Sequence, residues 1–393
     1  MPDATLGDML DAMRRMAATG NAEWRTLPPA AYGSDALFAL ERERIFRAGW
    51  VCLGRADQVA RPGDFMALEV AGEPVVMVRD LDGTLRVLSN VCRHRWMTVC
   101  LGSGNAKALS CPYHAWTYRL DGRLWAAPEM DRHPAFRKDE VALPLIRHEV
   151  WHGFVYANLA GRAAVLADRL AEVEPFVAGY ELERWVTVTT IDCGEYPWDW
   201  KVMQDNGECY HHLGLHTETF EVNYPGRRSE TFETDGGFTV VWNPAREDRR
   251  VEGSNGLRYV PGMLFTPKSG LDERQRTSFI LVYVLPNFFI YLQPDLVMNM
   301  RVFPVAAGRI RLFADLIVLP ESRDLPDFDE RLARAVAFFH RFNEEDVTVN
   351  AAIQRNLGSA YATPAPLSRL EGHNRAVALW VARTLTEPVA DAR

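Results

Sequence analysis

At 393 residues, 48% hydrophobic and 24% charged, the chain has the length and apolar content for two or three globular domains. A net charge of −8 excludes the basic face that broad nucleic-acid binding needs. Its six cysteines are scattered through the chain and form no disulfide framework, which points to a reducing compartment. Met1 to Asn21 carries charges throughout and has no apolar core, so no signal peptide is expected. The longest apolar run, Phe279 to Leu292, is interrupted by Pro286-Asn287 and is too short to span a bilayer. The expectation is a cytoplasmic protein with no membrane partner.

Residues 1–47 read as a helical lead-in. Met9, Met13 and Met16 recur at helical spacing, and Ser34 is placed to cap a second helix running to Arg47. Residues 48–160 change to short strands, with Phe65 to Val70, Pro74 to Arg79 and Leu85 to Ser89 as β-rich runs. Asp82-Gly83 and Asp121-Gly122 sit between such runs as hairpin turns. Residues 161–393 form the remaining region. Leu166, Leu170 and Val173 share a helical phase, and strands resume at Trp185 to Asp192. A helix is expected from Trp198, breaking near Gly214. Further strands follow at Phe238–Trp242, Thr277–Leu285, Phe288–Gln293, Met298–Phe303 and Ile310–Val318, and a last helix from near Asp327 to about Leu357.

The strand-rich region carries Cys92-Arg93-His94 and, after sixteen intervening residues, Cys111-Pro112-Tyr113-His114. Each half offers one thiolate and one imidazole. That layout suits a 2Fe–2S centre of the Rieske type, in which two His replace two Cys on one iron. A structural Cys2His2 zinc site is the competitor, but zinc fingers pair Cys with Cys and His with His.

A second set of metal-ligand types lies in residues 161–393. His211 and His216 are five apart, about 140° around a regular helix, so both reach one metal only if the helix ends between them. Asp346 falls within the apolar stripe of the last helix, about 20° from the direction of Phe339. A buried Asp needs a partner, either a metal or a bland one such as a buried Arg. Two His and one Asp make the facial triad of non-haem Fe(II) oxygenases. Glu208, three residues before His211, is placed to hydrogen-bond a ligating imidazole. His212 competes with His211, being four residues from His216.

With both sets in view, the sequence resembles the α subunits of the Rieske non-haem iron oxygenases. The resemblance runs from about Leu27 to Leu357. It rests on Asn90-Val91-Cys92-Arg93-His94-Arg95, on Cys111 to Tyr118, on Glu208-Cys209-Tyr210-His211 followed by His216, and on Glu345-Asp346-Val347. Trp96 departs from it, standing where the family often has Gly. The resemblance implies an α+β architecture: a β-sandwich Rieske domain and a helix-grip catalytic domain with a central antiparallel sheet. It implies that Cys92, His94, Cys111 and His114 hold the cluster and that His211, His216 and Asp346 hold the mononuclear Fe(II). Glu208 would bridge a Rieske His of a neighbouring subunit to an iron-ligand His in a head-to-tail homotrimer.

The implied function is that of a terminal oxygenase. Electrons from NAD(P)H would arrive through a separate reductase or ferredoxin, and O2 would be used on a small organic substrate. Length and the Glu-Cys-Tyr-His and Glu-Asp-Val motifs resemble the α-only glycine-betaine and carnitine oxygenases. Monooxygenation or oxidative dealkylation of a methylated or quaternary ammonium compound is therefore expected, with aromatic cis-dihydroxylation as the alternative. A plain Rieske electron carrier would leave His211, His216 and Asp346 unexplained. Pocket residues are expected among strands 230–303, whose aromatics include Phe238, Trp242, Phe265, Tyr283, Phe289 and Tyr291.

Overall fold

The computed structural model describes residues 4–207, 211, 212, 214–234 and 237–387. They divide into two compact units. One runs from Phe46 to Leu166; the other combines residues up to Ile45 with residues from Ala167 onward. The helical lead-in as far as Ile45 therefore folds with the second unit.

The unit from Phe46 to Leu166 holds three small antiparallel sheets. The largest orders Leu85–Ser89, Glu73–Arg79, Asp64–Val70 and Ser103–Asn105 side by side. A second joins Leu109–Ser110, Thr117–Tyr118 and Leu124–Ala126, and a third joins Val51–Arg55, Phe154–Asn158 and Arg147–Trp151. Val76, Val78 and Leu88 pack with Leu109, Trp116 and Tyr118 into one core that also contains Cys92 and Cys111. Gly122 turns a hairpin at φ 90°, and a Cβ there would sit 2.7 Å from the Leu143 carbonyl oxygen, so this turn accepts only glycine.

The other unit is built on a seven-stranded antiparallel sheet. Its order is Val186–Tyr196, Arg309–Val318, Val297–Ala306, Phe288–Leu292, Ser278–Val284, Phe238–Pro244 and Glu230–Glu233. The strands Ser278–Val284 and Phe288–Leu292 are buried on both faces. The long helix Phe328–Asn356 buries Ala335, Phe339, Phe342, Asn343, Asp346 and Asn350. This stripe changes from apolar to polar along its length. Ile353, near the end of this helix, is 42% exposed.

Two features differ from the sequence reading. A last helix, Gly372–Thr386, was not anticipated; it packs against the first helix, Leu6–Thr19. The helix expected to run from Trp198 to Gly214 spans only Trp200–Asp205. Contacts from distant segments stop it. Asn374 Nδ2 donates to the Asp205 carbonyl at 2.8 Å, His373 Nε2 lies 3.1 Å from the Gln204 carbonyl, and the Tyr283 hydroxyl donates to the Gly207 carbonyl. Burial pushes the His373 imidazole down to about 3, so the neutral ring donates from Nε2 and accepts from Thr239 Oγ1 at 2.6 Å. At its other end the short helix is fixed by a buried charge group. Lys201 Nζ lies 2.6 Å from Glu41 Oε1 and 2.7 Å from Asp199 Oδ1, while Gln354 of the long helix accepts from the Asp199 N–H at 2.8 Å.

Among the described residues, no helix is long and apolar enough to cross a membrane.

Candidate functional site

The cysteine–histidine pairs sit on two loops with the same backbone turn. In one, the Cys92 N–H donates to the Met97 carbonyl and the Trp96 N–H to the Cys92 carbonyl; Trp96 is left-handed at φ 58°. In the other, the Cys111 N–H donates to the Trp116 carbonyl and the Ala115 N–H to the Cys111 carbonyl; Ala115 is left-handed at φ 56°. The family's preference for Gly at the Trp96 position thus has a backbone cause, and this chain meets it with a strained, 82% exposed Trp.

The repeated turn sorts the ligand types. Cys92 and Cys111 are buried, whereas His94 is half-buried and His114 exposed. The two imidazoles stand edge to face with ring centres 4.7 Å apart, and the Trp116 ring stacks on His94 at 4.8 Å. Burial, then the neighbouring His114 and Arg95, pushes the His94 imidazole below its usual range toward the neutral form that a metal needs. The Tyr118 hydroxyl lies 3.3 Å from Cys92 Sγ and accepts from the Arg93 N–H at 2.9 Å, which orients its own proton toward the sulfur. Two inward sulfurs and two outward imidazoles fit a cluster with unlike irons, one held by S and one by N.

In the other unit, His212, His216 and Asp346 bring their ligand atoms within 4.8 Å of one another. His216 Nε2 is 3.2 Å from Asp346 Oδ1, and His212 Nδ1 is 3.9 Å from the same oxygen. The chemistry of the set follows from a further residue. His216 Nδ1 lies 2.6 Å from Glu345 Oε2, which also accepts from Thr219 Oγ1 at 2.8 Å. A carboxylate only accepts, so His216 carries a proton on Nδ1. In the neutral ring Nε2 is then a lone pair aimed at a buried carboxylate oxygen that accepts no hydrogen bond. Such a pair calls for a cation between its members, and a mononuclear iron fits the donor set.

Two expectations need restating against this geometry. His211 is outside the cluster: its Nε2 is 3.3 Å from Ser368 Oγ and 3.9 Å from Glu371 Oε2. The short helix ends at Asp205, so helical phase does not determine which imidazole faces Asp346. Glu208 lies outside the described residues. Sequence reasoning missed Glu345 because it points off the apolar stripe of the long helix. It projects instead toward the turn at Thr217–Glu221, which packs beside that helix. An acidic residue adjacent to a suspected ligand was the signal available.

Two cavities flank the set. One of about 380 Å³ is lined by His212, Asp205, Asn206 and Glu371 together with apolar groups such as Leu27 and Ile353. The other, of about 50 Å³, is walled by rings, including Phe220, Phe279, Tyr291, Phe338 and Phe342. The His216 ring meets Phe220 edge to face at 5.5 Å. Of the aromatics expected to line a pocket, only Tyr291 lines either of these.

A 2Fe–2S-type loop pair and a two-His, one-Asp set on one chain are the two redox elements of a Rieske non-haem iron oxygenase. Residues 49–138 match the Rieske [2Fe-2S] domain family, and residues 178–387 match the family described as ring hydroxylating alpha subunit (catalytic domain). The chain belongs to this ring-hydroxylating α-subunit family. It is similar to the glycine betaine monooxygenase oxygenase subunit of Pseudomonas aeruginosa, with 27% identity covering 93% of this chain and 90% of that one. Its fold is similar to that of a solved quaternary ammonium Rieske monooxygenase, with TM-score 0.77 and 24% identity over 94% of this chain and 97% of that one. It is also similar to naphthalene 1,2-dioxygenase from Rhodococcus sp., with TM-score 0.80 and 20% identity over 99% and 100%. At these identities the structural likenesses establish the fold alone.

Proposed function

We propose that this chain is the oxygenase component of a monooxygenase that hydroxylates or demethylates a small quaternary ammonium or N-methylated compound. The observation that carries the reading is the convergence of His212, His216 and Asp346 beside a ring-walled chamber without charged walls. Aromatic faces attract a quaternary cation and cannot hydrogen-bond it, which suits a methylated head. The full-length similarity to a glycine betaine oxygenase subunit supports the same substrate class.

The residue roles in this reading are as follows. Cys92 and Cys111 hold one iron of the cluster, and His94 and His114 the other. His212, His216 and Asp346 hold the mononuclear iron. Loaded with both groups, the protein has single electrons at the cluster and oxygen-activating chemistry at the mononuclear site. Glu345 keeps the His216 proton on Nδ1 and so keeps Nε2 free for the metal. The ring walls exclude water from the reacting group. A second ligand reading places His211 in the set. Its buried Nδ1 makes no hydrogen bond, and its spacing from Glu208 and His216 is that of the family motif. Glu208 would bridge to a Rieske His of a neighbouring copy within a cytoplasmic homotrimer. Electrons would come from NAD(P)H through a reductase or ferredoxin.

The test is O2 uptake with product identification, using iron-replete protein, a surrogate reductase and NADH against betaines, methylated amines and aromatic acids. Uptake with aldehyde or formaldehyde release is the expected result. A diol product would refute monooxygenation and make this a ring dihydroxylase. Asp346→Ala should lose mononuclear iron and turnover while keeping the visible spectrum of the cluster; unchanged turnover would remove Asp346 from the ligand set. Light scattering tests the trimer.

A further inference from the structure

The smaller cavity has an uneven wall. Phe220, Phe279, Tyr291, Met298 and Phe342 are all buried, whereas Phe338 is 44% exposed. Its ring leans on both sides of the chamber, 5.8 Å from Phe220 and 5.8 Å from Phe342. Phe220 in turn stacks on Phe279 at 5.4 Å, and Phe279 on Tyr291 at 5.6 Å, so the remaining rings form a continuous packed wall. Phe220 is also the ring that meets His216. The chamber is therefore one ring away from the metal-ligand set, and Phe338 is the aromatic wall that reaches solvent.

Size is the second consideration. At about 50 Å³ the chamber is far smaller than the 380 Å³ cavity beside His212, which suits a compact group rather than a fused bicyclic ring. No lining side chain is charged.

We propose that this chamber receives the group to be oxidised and that Phe338 is the residue that limits its size. This rests on the substrate reading above and adds a specificity determinant to it. A compact methylated head passes Phe338 and fills the space against Phe220, and a bulkier head is refused by the Phe338 ring. The long helix carries Phe338 two turns before Asp346, so the size filter and the metal ligand belong to one rigid element.

The experiment uses the full iron-loaded chain and ligand-observed NMR. Two probe pairs are compared: tetramethylammonium with tetraethylammonium, and toluene with naphthalene. Wild type should bind the smaller member of at least one pair at least tenfold more tightly. Its protons should relax faster with Fe(II) bound than in metal-free protein. Phe338→Ala should cut that preference at least tenfold, and Phe338→Trp should sharpen it. An unchanged preference in both variants, in protein that keeps its wild-type unfolding temperature, overturns the proposal. So does failure of both small probes to bind near the iron. If only the neutral pair binds and its preference shifts in Phe338→Ala, the size filter stands and the quaternary ammonium reading falls.

Discussion

Removing the Glu345 carboxylate should weaken iron binding without touching the 2Fe–2S cluster. His216 is almost fully buried, Glu345 is 21% exposed, and 2.6 Å separates Nδ1 from Oε2. This is a short, charge-assisted hydrogen bond that fixes which nitrogen carries the proton. Loss of such a partner typically lowers metal affinity about 10–100-fold, or ~1.4–2.7 kcal/mol. Thr219 Oγ1 donates one hydrogen bond to the same carboxylate oxygen without carrying charge itself, so Thr219→Val should cost less than losing the carboxylate, about 1 kcal/mol or roughly fivefold. Arg341 Nε lies 4.0 Å away on a side chain that is 53% exposed, and Arg341→Ala should change affinity less than about twofold. Glu345→Gln keeps an acceptor but not the charge and should fall between the alanine and threonine variants. Anaerobic Fe(II) titration against a competing chelator gives the affinities, with the visible spectrum of the cluster as an internal control. If Glu345→Ala binds Fe(II) within twofold of wild type, the carboxylate does not set the His216 tautomer and the argument for the ligand set loses its main support.

Three further outcomes can be checked directly. Mononuclear iron, counted as the iron beyond that of the cluster, should be lost in His212→Ala and stay near the wild-type value in His211→Ala; the reverse pattern would move the ligand to His211. Tyr118→Phe removes a hydrogen-bond donor from Cys92 Sγ and should lower the midpoint potential of the cluster in protein-film voltammetry, because hydrogen bonds to sulfur raise it. An unchanged potential would show that the hydroxyl does not act on the sulfur. The third concerns Glu41, whose carboxyl burial raises to about 7, with Asp199 adding to the rise and Lys201 opposing it. A carboxyl with a raised folded-state value adds stability that is fully present below about pH 4.5 and is lost as pH rises through about 7. Denaturant unfolding at pH 5 and pH 8 should therefore move in favour of Glu41→Gln, relative to wild type, at the higher pH. An equal difference at the two pH values would contradict this.

The sequence by itself determined the cluster loops, and the reason is their locality. Cys92 and His94 are two residues apart and Cys111 and His114 three, so a single tight turn in each loop fixes both ligands. The left-handed corner at Trp96 even explains the family glycine that this chain lacks. Period-two strands around those loops and the helix carrying Asp346 were legible for the same reason: hydrophobic alternation and helical phase are local properties.

Tertiary structure alone brings together the His212, His216 and Asp346 set and the chamber. Glu345 and His216 are 129 residues apart, and nothing in either segment alone directs one to the other. The short helix ends against His373 and Asn374, from a last helix whose buried residues spread around most of its circumference and leave a weak periodic signal. The ring-walled chamber draws Phe220 from a turn, Phe279 and Tyr291 from neighbouring strands and Phe338 from the long helix. In the sequence those rings are indistinguishable from core. Only the way the long helix packs on the sheet leaves a space between them, and that packing is decided by contacts far apart in the chain.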